Sequence, residues 1–138
     1  MADVLISYSE RDRHVAQQLA EFLSGVGRTV WWETTPPNSP ELRHVRTTEI
    51  ANARVVIVLW SKSSLASPFV LQEAIAARDG DKALHVKTPD VQSRQVPVRR
   101  RGEPLFDASD FMQVALEQIP IIRHRILLLR SSCGSLLV

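Results

Sequence analysis

The chain has 138 residues, enough for one domain with a real core. Hydrophobic residues make up 44% and charged residues 23%, which excludes a disordered or membrane-embedded composition. A formal net charge of +2 is too small to argue for nucleic acid as a partner. The single cysteine, Cys133, excludes a disulfide framework and a cysteine-based metal site, and fits a reducing compartment.

The first residues, "MADVLISYSERD", show no basic start followed by a long apolar region, so no signal peptide is expected. No run of about eighteen apolar residues follows anywhere in the chain. The expectation is a cytoplasmic protein with no membrane partner.

"DVLIS" (3–7) is a short apolar run that reads as a buried strand. Ser9 or Asp12 can cap the helix that follows, where Val15, Leu19, Phe22 and Leu23 recur at helical spacing until Gly25 and Gly27 stop it. "RTVWW" (28–32) is a second strand, rich in β-branched and aromatic residues. Three prolines in "ETTPPNSPE" make the next segment a stiff loop. "LRHVRTTEIANA" (42–53) predicts a helix with Leu42, Val45, Ile50 and Ala53 inward. "RVVIVLWS" (54–61) shows no alternation, as expected of a parallel strand buried on both faces.

After "KSSLAS", Ser67 is placed to cap a helix and Pro68 to be its first residue. "KALHV" (82–86) predicts a fourth strand, and "PLFDAS" (104–109) a short fifth. The loop between them carries Arg94 and Arg99 to Arg101, a cluster without aromatic residues for base stacking. "DFMQVALEQI" (110–119) predicts a last helix, capped by Ser109 or Asp110.

Strands alternating with helices predict a flavodoxin-like, doubly wound α/β domain over residues 1–120. Its five-stranded, mostly parallel sheet has the order 2-1-3-4-5, with helices on both faces. Residues 121–138 are expected to form a C-terminal extension or a linker. In such folds the ligand site lies beyond the carboxyl ends of the strands, where strand order reverses. That point falls between "SYSERD" and "SKSSLAS".

The second of these loops leads into "SPFVLQEAIAAR" (67–78), which holds one charge in an odd place. On a helix Glu73 shares a face with Phe69, Val70, Ala76 and Ala77. The simplest reading is a solvated carboxylate, or one paired with Lys62 or Arg78. Other chemistry of this fold is missing. There is no G-x-G-x-x-G after strand one, no Walker loop and no acidic residue at the ends of strands one and three. The four histidines, 14, 44, 85 and 124, are dispersed, so no metal site is expected. Trp31 and Trp32 point to opposite faces of their strand, so at most one of them can face a given site.

"DVLISYSERD", "VWWE" and "RVVIVLWSKSSLASPFVLQEA" resemble, in this order, the Toll/interleukin-1 receptor (TIR) domain family, especially its bacterial members. "PLFDASDF" is similar to the family's last strand and acidic turn. The resemblance runs from about residue 3 to 120. It implies an NAD+ glycohydrolase that cleaves the nicotinamide–ribose bond, with Glu73 as the catalytic residue and NAD+ as substrate rather than cofactor. By the same resemblance Tyr8, Ser9, Arg11 and Trp32 line the nucleotide cleft, and Phe69 packs against a planar base or ribose. Arg11 suits a diphosphate, or equally a surface salt bridge to Asp12 or Glu10.

The resemblance further implies partners: other TIR domains, in a homo-oligomer or filament when active, and a regulatory domain or partner chain after residue 120. A place in bacterial antiphage defence is its broadest implication. The alternative it leaves open is a non-catalytic TIR adaptor that only binds other TIR domains. Three positions depart from the family pattern. Phe69 stands where tryptophan is usual, the loop after strand two is proline-rich and lacks a glycine, and Arg46 stands where an aliphatic residue is expected.

Overall fold

In the computed structural model, which describes residues 3–25, 27–32 and 40–113, the apolar runs become five strands. They are β1 (Val4–Ser7), β2 (Val30–Trp31), β3 (Val55–Trp60), β4 (Ala83–Lys87) and β5 (Leu105–Asp107). They pair in the order β2-β1-β3-β4-β5, and every pair is parallel. The flavodoxin-like topology expected from the sequence is therefore observed. The helices are α1 (Arg13–Gly25), α2 (Pro40–Asn52), α3 (Lys62–Leu65), α4 (Pro68–Asp79) and α5 (Ala108–Gln113). Most of the proline-rich loop, the predicted helix beyond Gln113 and the 121–138 extension lie outside the described residues, as does the side chain of Leu42.

Strand pleating sorts the core into two layers. Val4 and Ile6 of β1 and Tyr8 just after it face α1 and α5, where they pack with Leu19, Leu23 and Phe111. Leu5, one residue out of phase, faces α2 and α4 with Ile50, Val70, Ala74 and Ala77. The central strand β3 is buried along its whole length, because helices cover both of its faces. Trp60 and His85 stack inside the sheet, with ring centroids 6.3 Å apart. The indole Nε1–H of Trp60 donates to His85 Nδ1 at 3.0 Å. An indole only donates, so the imidazole proton sits on Nε2, which meets Glu103 Oε1 at 3.1 Å. A dispersed histidine thus pins the long β4–β5 loop to the core.

Local signals set the helix ends. After α1, Gly27 takes φ +88°, with Gly27 N–H on Ser24 O and Arg28 N–H on Leu23 O, both at 3.0 Å. This pattern closes a helix through a left-handed residue, which glycine adopts without a Cβ clash. Ser67 caps α4 by accepting from Val70 N–H at 3.3 Å, and Pro68 is the first helical residue. The short helix α3 within "KSSLAS" has no counterpart in the sequence reading. Ser61 caps it in a reciprocal box with Ser64.

The expected inward face of α2 needs correction. Val45 is 49% exposed, whereas Arg46 is buried at 7% beside Ile50. Position 46 lies four residues before Ile50 and seven before Ala53, so it shares their face, while Val45 falls off the stripe. Apolar character pointed to the wrong neighbour. Val45→Gln is therefore expected to change stability by less than about 0.5 kcal/mol, while Ile50→Ala costs about 2–4 kcal/mol. Urea unfolding of both variants checks the phase of the helix.

Candidate functional site

Glu73 lies one turn into α4, on the face turned toward the sheet and α2. It is 6% exposed, an uncommon degree of burial for a carboxylate without partners. Two partners explain it. Ser7, the last residue of β1, shares the phase of Leu5, and its hydroxyl donates to Glu73 Oε1 at 2.6 Å. Arg46 of α2 reaches across with a planar fork: Nη2 donates to Oε1 at 2.6 Å and Nε donates to Oε2. This is a bidentate, charge-assisted pair in a dry environment. It corrects the simpler expectation of a solvated carboxylate, or one paired with Lys62 or Arg78. Lys62 is exposed and its backbone N–H bonds Asp90, and Arg78 pairs with Asp79 at 3.3 Å.

The guanidinium of Arg46 also lies over two rings. Its central carbon is 5.1 Å from the Trp31 ring centroid and 5.6 Å from that of Phe69. Beside this cluster a cleft of about 350 Å³ runs between α2 and α4. Arg46, Ile50, Phe69, Gln72, Glu73 and Ala76 line it, together with Gly80 and Lys82. Lys82 Nζ donates to the carbonyls of Ala51 and Ala53 at 3.0 and 2.9 Å, which holds the last turn of α2. Burial lowers the pKa of this amine.

The residues expected around Glu73 separate into three groups. Phe69 lines the cleft with it. Tyr8 and Trp32 do not: both belong to the α1 layer, where the Tyr8 hydroxyl donates to Trp32 O at 2.6 Å and Arg13 lies over the Trp32 ring. Ser9 and Arg11 sit at the carboxyl ends of β1 and β3. The Ser9 and Ser63 hydroxyls share a 2.5 Å hydrogen bond. Arg11 is exposed and makes no ion pair with Asp12 or Glu10; it lines an open depression of about 550 Å³ with Asp12, Lys62 and Asp90.

Three residues of the Glu73 cluster were not chosen from the sequence: Ser7, Trp31 and Arg46. Strand phase held the signal for the first two. β1 and β2 are parallel with Leu5 opposite Trp31, so Leu5, Ser7 and Trp31 share a face.

In the depression, burial pushes the Asp12 carboxyl above its ordinary value; the hydrogen bond from Ser61 opposes this and the charge of Asp90 adds to it. Asp90 is held low, chiefly by the Thr88 hydroxyl. Among the described residues no group of three or more His, Cys, Asp or Glu is placed to hold a metal ion, and no helix is long and apolar enough to cross a membrane.

A family model for the TIR domain matches residues 4–120 of the chain. No curated protein matches it.

Removing one member of the buried pair strands the other. Arg46→Leu is expected to lose about 3–5 kcal/mol of unfolding free energy, and the double variant Arg46→Leu/Glu73→Leu to regain most of it, as read by denaturant titration. Asp12 carries a pH signature. Its pKa is raised by folding, so its favourable contribution is present below the ordinary value of 3.8 and is lost as pH rises through the raised value. Asp12→Asn is expected to melt above the wild type at pH 7, with the difference shrinking toward acid pH in thermal melts.

Proposed function

The chain belongs to the TIR domain family, and we propose that it is a member that cleaves the nicotinamide–ribose bond of NAD+, with Glu73 as the catalytic carboxylate. The observation that carries this reading is Glu73 itself. It is a buried carboxylate fixed by β1 and α2, facing a 350 Å³ cleft with Phe69 one turn before it. A cleft of that size suits the nicotinamide–ribose end of a dinucleotide.

The chemistry needs little beyond such a group. The bond breaks heterolytically, and its electron pair goes to the pyridinium nitrogen, so nicotinamide leaves as a neutral molecule. Positive charge is left on the ribose as an oxocarbenium-like species. A fixed carboxylate in low-dielectric surroundings stabilises that charge and orients the ribose hydroxyls. Water then adds to the anomeric carbon and loses a proton. NAD+ enters as substrate and no resident cofactor takes part. Phe69 offers its ring face to the planar base.

Self-association belongs to the proposal. TIR domains interact with other TIR domains, and the exposed Val45 and Ile75 give α2 and α4 apolar surface for such contacts. One observation favours a second reading, a non-catalytic interaction module: both oxygens of Glu73 are already engaged by Arg46 and Ser7.

Nicotinamide release from NAD+, followed across protein concentration and with a crowding agent, tests the proposal. Turnover is expected to rise more than linearly with protein, and Glu73→Gln to lower it at least about a hundredfold with an unchanged circular dichroism spectrum. Absence of turnover in every assembled state, or full activity in the variant, sinks the enzyme and leaves the module.

A further inference from the structure

Arg46 has no part in the reaction just described, yet it is the most elaborately held side chain near Glu73. A guanidinium is flat, delocalised and weakly hydrated for a cation. Here one edge of it meets a carboxylate, and its central carbon lies over the rings of Trp31 and Phe69. Carboxylate and aromatic faces together are the means by which proteins bind organic cations. The cluster is not sealed from the cleft, since Arg46, Phe69 and Glu73 are themselves lining residues.

We propose that Trp31, Phe69 and Glu73 form a binding site for a flat organic cation, and that Arg46 is its built-in occupant. A ligand cation takes the site only as the Arg46 side chain leaves it. With Arg46 bound, the Glu73 carboxylate is paired on both oxygens and has little attraction to offer a second cation. With Arg46 withdrawn, the same carboxylate and two ring faces meet the incoming group. A pyridinium carried by a dinucleotide belongs to this ligand class. In that case displacement of Arg46 both admits the substrate and releases the carboxylate, a step that rests on the NAD+ reading; the cation site itself does not.

Two probes without a glycosidic bond separate binding from turnover: ethylguanidinium and 1-methylnicotinamide. Thermal melts are recorded with each at millimolar concentration for the wild type, Arg46→Ala and Arg46→Ala/Glu73→Gln. Arg46→Ala is expected to gain a saturable rise of several degrees with both probes. The wild type should bind at least about tenfold more weakly, because its own guanidinium competes. The double variant should lose the response. No rise in Arg46→Ala, an equal rise in the wild type, or a rise kept in the double variant overturns the site. Should Arg46→Ala be unfolded alone, recovery of its native circular dichroism with ethylguanidinium supports the proposal, and failure to recover with either probe overturns it. Probe binding by a protein without NAD+ turnover overturns the NAD+ reading and leaves the cation site standing.

Discussion

The buried pair of Arg46 and Glu73 is the constraint on which the α2–α4 layer depends. Taking a guanidinium and a carboxylate out of water costs roughly several kcal/mol per ion. The fold tolerates this because the pair is bidentate and because Ser7 and the two rings pack around it, while one side opens on the cleft. Those partners come from β1, β2, α2 and α4. Each of these elements has one rotation and one register that keeps the cluster complete. The pair thereby sets the phase of α2, exposes Val45 and turns Phe69 toward the cleft.

Two concave regions result, and they differ in chemistry. The depression at the carboxyl ends of β1 and β3 is polar, built from Asp12, Lys62, Ser63 and Asp90. Serine hydroxyls tie its two loops together: Ser61 donates to Asp12, and Ser9 meets Ser63. The cleft between α2 and α4 is lined more by aliphatic and aromatic carbon, with the Glu73 cluster at one end. The strand-order rule places a site in the first region and suggests that Glu73 lies beside it; in the fold Glu73 faces the second region instead, and the two share no lining residue. They adjoin through α4, whose capping Ser67 follows directly on the α3 turn.

Much of the fold was legible because its signals are local. The unbroken run "VVIVLW" can only be satisfied between two helical layers, and Ser67-Pro68 announces a helix start wherever it occurs. The prominence of Glu73 was legible for the same reason, since helical spacing alone puts it among Phe69, Val70 and Ala77. Its partner was not. Arg46 lies 27 residues away and Ser7 lies 66 away, and only the packing of α2 and β1 against α4 brings them together. The choice between Trp31 and Trp32 shows the same limit. The sequence says that they face opposite ways, and the pairing of Leu5 with Trp31 decides which one meets α2.

By itself, the sequence determined the alternation of the five strands with the long helices, the capped start of α4 and the family to which the chain belongs. These follow from periodicity, turn chemistry and short motifs, all carried by neighbouring residues. The tertiary structure alone decided that Glu73 is buried and charge-paired, that Arg46 rather than Val45 faces the core, and that Tyr8 and Trp32 lie in the other layer. Those outcomes depend on strand phase and helix rotation, where a shift of one residue moves a side chain to the opposite face.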